Sequence, residues 1–268
     1  MNEFPDDLFD FAWLAHKNTT FNQYMDELKE KAQDEDWGEE NKILKNYLSF
    51  TYKYLAQSAN KELEETGKTN LILISDQAAV FNTGLFDDFY EPIYAYFQKN
   101  RNTGTTTPKP WFFIGFKSAG DYELLEFTTL PNRMNYFSKP EELVFDPRIP
   151  IRTNVQHILG DTRNMERLPE IFQDYDKSSL STILNGSIEM AKKKAASNYT
   201  VAVPQFYKGK LQLLLPITLP GSNNPDLALT ISKGDHIYSG NTCLTIAMAY
   251  NNARLITKPS STWLLPED

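Results

Sequence analysis

Thr200-Val201-Ala202-Val203-Pro204-Gln205-Phe206-Tyr207-Lys208-Gly209-Lys210-Leu211-Gln212-Leu213-Leu214-Leu215-Pro216-Ile217-Thr218 reads as two strands folded back on each other. Apolar and β-branched residues fill both arms, and Lys208-Gly209 lies between them as a tight turn. Immediately upstream, Leu180, Ile183, Leu184, Ser187, Ile188, Ala191 and Ala195 recur at three- and four-residue spacing. Leu180 to Ser197 is therefore expected to be a helix with one packing face. Lys192-Lys193-Lys194 lies near its end, where positive charge suits the helix dipole. A helix feeding a hairpin predicts an α+β fold, with antiparallel sheets and helices packed on one face of a single compact domain.

Downstream, Leu227 to Ile231 and Thr242 to Met248 read as strands, and Tyr250 to Ile256 turns into a last helix or strand. Upstream, Val155 to Gly160 and Leu168 to Asp174 read as helical, and the prolines of 130–152 make that stretch irregular. Trp111 to Phe116 and Glu123 to Phe127 are strand candidates, and Thr103 to Pro110 is a loop by composition. The aromatic run Phe89 to Phe97 is expected to hold a short helix after Pro92. Leu71 to Ile74 and Ala78 to Phe81 read as strands joined by Ser75-Asp76-Gln77, with Asn82-Thr83-Gly84 breaking the second. Ile43, Leu44, Tyr47, Leu48, Thr51, Tyr54 and Leu55 mark a helix from Glu39 to about Glu65, closed at Gly67. Residues 1–38 read as an acidic extension that Leu8, Phe11, Trp13 and Leu14 pack onto the domain of 39–268 as a strand or short helix. No internal repeat and no heptad pattern emerges.

With 268 residues, 41% hydrophobic and 23% charged, the chain can bury a substantial core. A net charge of -8 argues against a broad basic footprint for duplex DNA, while leaving room for a local basic pocket. One cysteine, Cys243, excludes an intramolecular disulfide. The start is acidic, unlike a signal peptide, and no apolar run approaches the roughly 20 residues that span a bilayer. A cytoplasmic protein with no membrane partner is expected.

Three polar clusters stand out. Tyr250-Asn251-Asn252-Ala253-Arg254 places two amides and a guanidinium among apolar residues, where each needs a partner. Either the cluster ties the protein together, with Arg254 on Asp226 or another carboxylate, or it receives a polar ligand. Asn82-Thr83-Gly84 is either a strand-ending turn or a set of donors for an anion or a base edge. Glu91, just beyond, is a candidate general base. Pro204 inside a strand pattern implies an edge or a bulge, which re-aims Gln205 and Tyr207. Asp226 is a turn residue or an inward carboxylate. Gly67-Lys68-Thr69 follows a helix and precedes a strand, the reverse of a P-loop. His16, His157 and His236 make no metal-binding spacing.

Phe81-Asn82-Thr83-Gly84-Leu85, Tyr90-Glu91-Pro92-Ile93-Tyr94, Trp111-Phe112-Phe113-Ile114-Gly115-Phe116, Val203 to Tyr207, Gln212 to Pro216 and Ala249 to Leu255 together resemble the domain-of-unknown-function 3825 family over roughly residues 40–260. Members of that family occur joined to cold-shock-type and LOTUS-type RNA-binding modules. The resemblance therefore implies work on RNA or nucleotides. The family pattern often has an acidic residue before the Met-Ala-Tyr block, where this chain has Ala247. If a catalytic carboxylate belongs there, this chain lacks it.

Two functional expectations follow, with a third beside them. The first is a hydrolase acting on phosphodiester or pyrophosphate bonds of RNA ends or nucleotides. Arg254 would hold phosphate, Asn251 and Asn252 would orient it, and Asn82, Thr83 and Gly84 would contact the other side. Glu91, Asp226 or His157 would do the acid–base work, and Asp226 or Asp146 would offer oxygen ligands to a divalent metal. The second is a non-catalytic sensor in which Tyr207, Tyr250 and Trp111 stack bases and the same amides read their edges. The third is a protein–protein adaptor anchored by the aromatic stretch Phe86 to Phe97.

Overall fold

The computed structural model describes residues 3–15, 19–101 and 109–266. His16 and residues 102–108, which hold most of the expected Thr103–Pro110 loop, lie outside them. The chain forms two compact units, Met1–Met134 and Asn135–Asp268.

The first unit opens with α1 (Leu8–Phe11), β1 (Ala12–Trp13), α2 (Phe21–Lys31) and α3 (Lys42–Thr66). A meander follows: β2 (Ile72–Ile74), β3 (Ala78–Phe86), β4 (Pro92–Lys99) and β5 (Trp111–Ser118). The sheet runs β1-β5-β4-β3-β2. Only β1 is parallel to its neighbour, with Ala12 beside Trp111. Leu8, Phe11 and Leu14 are buried, so the acidic start of the chain supplies both core and sheet. The periodic residues of α3, from Ile43 to Leu55, are buried as their spacing requires, and Gly67 ends the helix with its N–H on the Leu63 carbonyl. Helix α2 was not foreseen. Its signal is a capping box, in which Gln23 N–H donates to Thr20 Oγ1 and Thr20 N–H donates to the Gln23 side chain.

Three local expectations are corrected. The stretch after Pro92 is a strand and not a helix. Strand β4 lies between β3 and β5, so Ile93 to Phe97 is buried on both faces, where aromatic side chains favour the pleat. Residues Tyr122–Glu126 form a 3-10 turn and not a strand, with their backbone bonds closed locally: Leu124 N–H donates to the Asp121 carbonyl and Phe127 N–H to the Leu124 carbonyl. Asn82-Thr83-Gly84 does not end β3. The strand continues to Phe86 through a bulge in which Thr83, Gly84 and Leu85 oppose Ile93.

An aromatic cluster fills the space between the sheet and the helices. Phe81, Phe97 and Phe113 line the sheet, and Phe11, Tyr24 and Tyr52 meet them from α1, α2 and α3. Among the described residues, the buried Tyr52 hydroxyl has no hydrogen-bond partner. Its ionised form is disfavoured, first by burial and then by Asp6, Asp7 and Asp10. An unpaired hydroxyl in an apolar site costs about 1–3 kcal/mol. Tyr52→Phe is therefore expected to raise the urea midpoint, by up to about 2 kcal/mol of stability. A loss of stability would show that the hydroxyl does have a partner.

The second unit contains β6 (Ile151–Thr153), four helices, α4 (Val155–Gly160), α5 (Thr162–Met165), α6 (Glu170–Gln173) and α7 (Lys177–Ser197), and a second meander. The meander consists of β7 (Val203–Tyr207), β8 (Lys210–Ile217), β9 (Leu227–Lys233) and β10 (Tyr238–Thr245), and α8 (Ile246–Arg254) closes the chain's last packed element. The expected hairpin is β7–β8. Its turn has Lys208 at φ 49 and Gly209 at φ 75, two left-handed residues that match the twist of the strands. Leu213, Leu215, Ile217, Leu229 and Ile231 form one core with Ile158, Leu180, Leu184 and Ile188. The expected strand reaching Met248 stops at Thr245, whose hydroxyl accepts from Met248 N–H and caps α8.

The fold is α+β. Both units also follow one plan that the sequence did not disclose. In each, a short strand is followed by helices and then by a four-stranded antiparallel meander. Each then pairs the short strand, in parallel, with the last one. Each last strand carries a bulge just past that pairing, at Ile114 in β5 and at Asn241 in β10. The side chains at matching places differ, so the repetition lies in connectivity and not in residue pattern.

Candidate functional site

Strand β7 sits at an edge of its sheet, as Pro204 requires. The alternation that puts Val203 and Gln205 on one face carries Tyr207 to the same face at the end of the strand. Gln205 is completely buried. A buried amide must be answered, and a chain of side chains answers it. Asn252, on α8, donates to Gln205 Oε1 at 3.1 Å, and Gln205 Nε2 donates to Gln212 Oε1 at 3.0 Å. Gln212 Nε2 donates to Ser232 Oγ at 2.9 Å, and Asn241 Nδ2 donates to the same oxygen at 2.7 Å. The chain thus crosses β7, β8, β9 and β10 and ends on the bulge residue. Gln212, Ser232 and Asn241 were not singled out from the sequence. The available clue was that Gln212 falls opposite Gln205 once the turn is fixed at Lys208-Gly209.

The helix divides the other candidates. Asn251 donates to the Ala247 carbonyl at 2.9 Å, within α8 itself. Tyr250 and Arg254 are buried on α8, and Ala247 lies in its first turn. Tyr207 is 45% exposed, and the Lys208 ammonium stands 5.4 Å from its ring centroid. The Arg163 guanidinium, paired with Asp161, also lies within electrostatic reach of the Tyr207 hydroxyl. Asp226 ties the β8–β9 loop, accepting from Leu219 N–H at 2.8 Å and Ser222 Oγ at 2.7 Å. His157 is exposed on α4, its N–H capped by Asn154. Asp146 is held down to about 2 by hydrogen bonds from Arg148. Cys243 is buried, and that burial pushes its thiol up to about 12, against the opposing influence of Arg167.

In the first unit, the bulge of β3 spends its polar groups locally. Asn82 Oδ1 accepts from Gly84 N–H at 2.8 Å, and its Nδ2 donates to the Pro131 carbonyl at 3.4 Å. Thr83 Oγ1 donates to the Ile93 carbonyl at 2.7 Å and accepts from Leu85 N–H at 3.2 Å. The Tyr47 hydroxyl donates to the Thr83 carbonyl at 3.0 Å. Gly84 has φ 78, and a Cβ there would come within 2.6 Å of that hydroxyl. The residue types that suggested a ligand therefore also fit a tightly packed bulge. Glu91 is exposed in the β3–β4 turn, where Asp87 Oδ1 accepts from Phe89 N–H and Glu91 N–H. Trp111 is buried, so it offers no open ring face.

Among the described residues, no three His, Cys, Asp or Glu side chains gather as a metal-binding group. No helix among them is long and apolar enough to cross a membrane. The geometry joins Gln205 to Asn252, leaves Tyr207 open beside a lysine, and uses Asp226, Asn82 and Thr83 in local turns and bulges. No curated protein and no solved structure matches this chain. The sequence model of one family, described as a domain of unknown function (DUF3825), does match it, over residues 28–263. That match covers nearly the whole chain, and the protein belongs to the DUF3825 family.

Proposed function

We propose that this chain is an RNA- or nucleotide-binding module, and that the end of the β7–β8 hairpin supplies a stacking contact. The observation that carries the reading is the half-exposed ring of Tyr207 with Lys208 beside it, two residues beyond the anchored Gln205. An open aromatic face accepts any base, and neighbouring cations meet the phosphates. Lys208 and Lys210 make this hairpin locally basic on a chain that is acidic overall. Binding to a short single strand fits that charge distribution better than binding along a duplex. The hydrolase reading draws on Glu91, Asp226 and His157, and their settings give it less support: two are exposed, and both oxygens of Asp226 accept bonds within its loop.

Fluorescence anisotropy with a labelled single-stranded RNA tests the proposal. Removing a stacking aromatic costs about 1–3 kcal/mol per base, so Tyr207→Ala should weaken binding about ten-fold or more. Tyr207→Phe should retain most of it, and raising the salt should weaken both proteins. Equal affinity of the parent and Tyr207→Ala for every RNA tried would sink the reading.

A further inference from the structure

The first unit's sheet has a second face, turned away from α3. There Ala78, Val80, Tyr94 and Tyr96 pack against Leu124 from the segment that follows β5, with Phe127 and Leu130 at the margin. That cover is short. Beyond it lies an open cleft of about 660 Å³ lined by Gln77, Tyr96, Gln98, Lys99, Arg101, Phe112 and Glu126. The volume suits a small organic ligand.

The lining chemistry is specific. Gln98 and Phe112 are direct cross-strand partners on β4 and β5, so an amide stands beside a partly exposed ring. Tyr96, two residues along the same face, forms the floor, and its hydroxyl is hydrogen-bonded with Gln98. Arg101 Nη2 donates to Gln77 Oε1 at 3.0 Å, which fixes one side of a guanidinium that carries five donors in all. Lys99, the last residue of β4, borders the cleft, although the strand's alternation turns its side chain to the other face. Glu126 accepts from Ser75 Oγ at 3.0 Å through Oε1, and the second oxygen of a carboxylate can take another donor.

We infer that this cleft binds a nucleoside monophosphate, with the base against Phe112, the phosphate on Arg101, and a ribose hydroxyl donating to Glu126. The amides of Gln77 and Gln98 offer both donors and acceptors to the base edge. The planar donor fork of Arg101 suits a terminal phosphate, and Glu126 weighs against the larger charge of a triphosphate. The site lies in the first unit and does not involve Tyr207.

Isothermal titration of the full chain with AMP, GMP, CMP and UMP tests the inference, with the matching nucleosides and inorganic phosphate as controls. At least one monophosphate should bind saturably, at least ten-fold more tightly than its nucleoside or phosphate alone. Arg101→Gln should abolish the advantage over the nucleoside, Phe112→Leu should weaken both, and Tyr207→Ala should change neither. Arg101 is exposed, so its replacement leaves the fold intact. No saturable binding at millimolar nucleotide, or binding unmoved by both cleft variants, would overturn the assignment. Loss on Tyr207→Ala alone would transfer the contact to the hairpin and overturn it equally.

Discussion

Phe97→Ala is expected to destabilise the first unit by about 3–5 kcal/mol, the cost of deleting a large ring from a core that cannot collapse around the gap. Phe97 is fully buried and central to the aromatic cluster. Its ring centroid lies 5.3 Å from Phe11, 5.7 Å from Phe81 and 5.1 Å from Phe113. It therefore joins three strands to the amino-terminal helix, and no single neighbour can fill its place. Hydrogen exchange is the appropriate measurement, because a chain with two units need not unfold in one step. Amides of β4 and β5 should lose protection by the stated amount, and those of β8 and β9 should change far less. A loss below about 1 kcal/mol would mean that the cluster repacks freely.

The second large effect is expected at Gln205. Gln205→Leu keeps the volume but leaves Gln212 Oε1 and the Asn252 amide without their partner. Both abandoned groups are half-buried, so each costs the low end of about 1–3 kcal/mol, and a total of about 2 kcal/mol is expected. Asn252→Ala should cost less on its own, because Gln205 keeps its bond to Gln212. In a double-mutant cycle, the two changes should couple by about 1 kcal/mol or more. Additive effects would show that the 3.1 Å contact between α8 and β7 contributes no net stability. The cycle also bears on function, because the same amide anchors the strand that ends in Tyr207.

Much of the fold was legible because periodicity reports burial. The α3 and α7 helices each have one buried face, so their apolar residues repeat at the helical period, and the β7–β8 hairpin shows through Lys208-Gly209 set between two apolar arms. Strand β4 escaped for the opposite reason. Buried on both faces, it shows no alternation, and an aromatic run without alternation suits either a strand or a helix. Asn82-Thr83-Gly84 looked like a chain break because turns and bulges need the same residues, backbone-bonding side chains and a glycine at positive φ. At the candidate site, the importance of Gln205 was visible through its neighbouring proline. Its partners Gln212, Ser232 and Asn241 were not, since only the strand register brings them into line. The cleft around Phe112 was equally hidden. Its residues come from separate strands and turns, and no spacing along the chain marks them.

The parallel pairing that closes each sheet has a consequence for synthesis. Trp13 leaves the ribosome long before Phe112, its partner, and Arg152 long before Ser239. The first strand of each unit is therefore made first and paired last. Until the meander is finished, Leu8, Phe11 and Trp13 have no sheet edge to join, and the loop to be closed is nearly as long as the unit itself. The nascent first unit must carry that apolar segment in waiting, and in both units the sheet is completed by the strand that was made first.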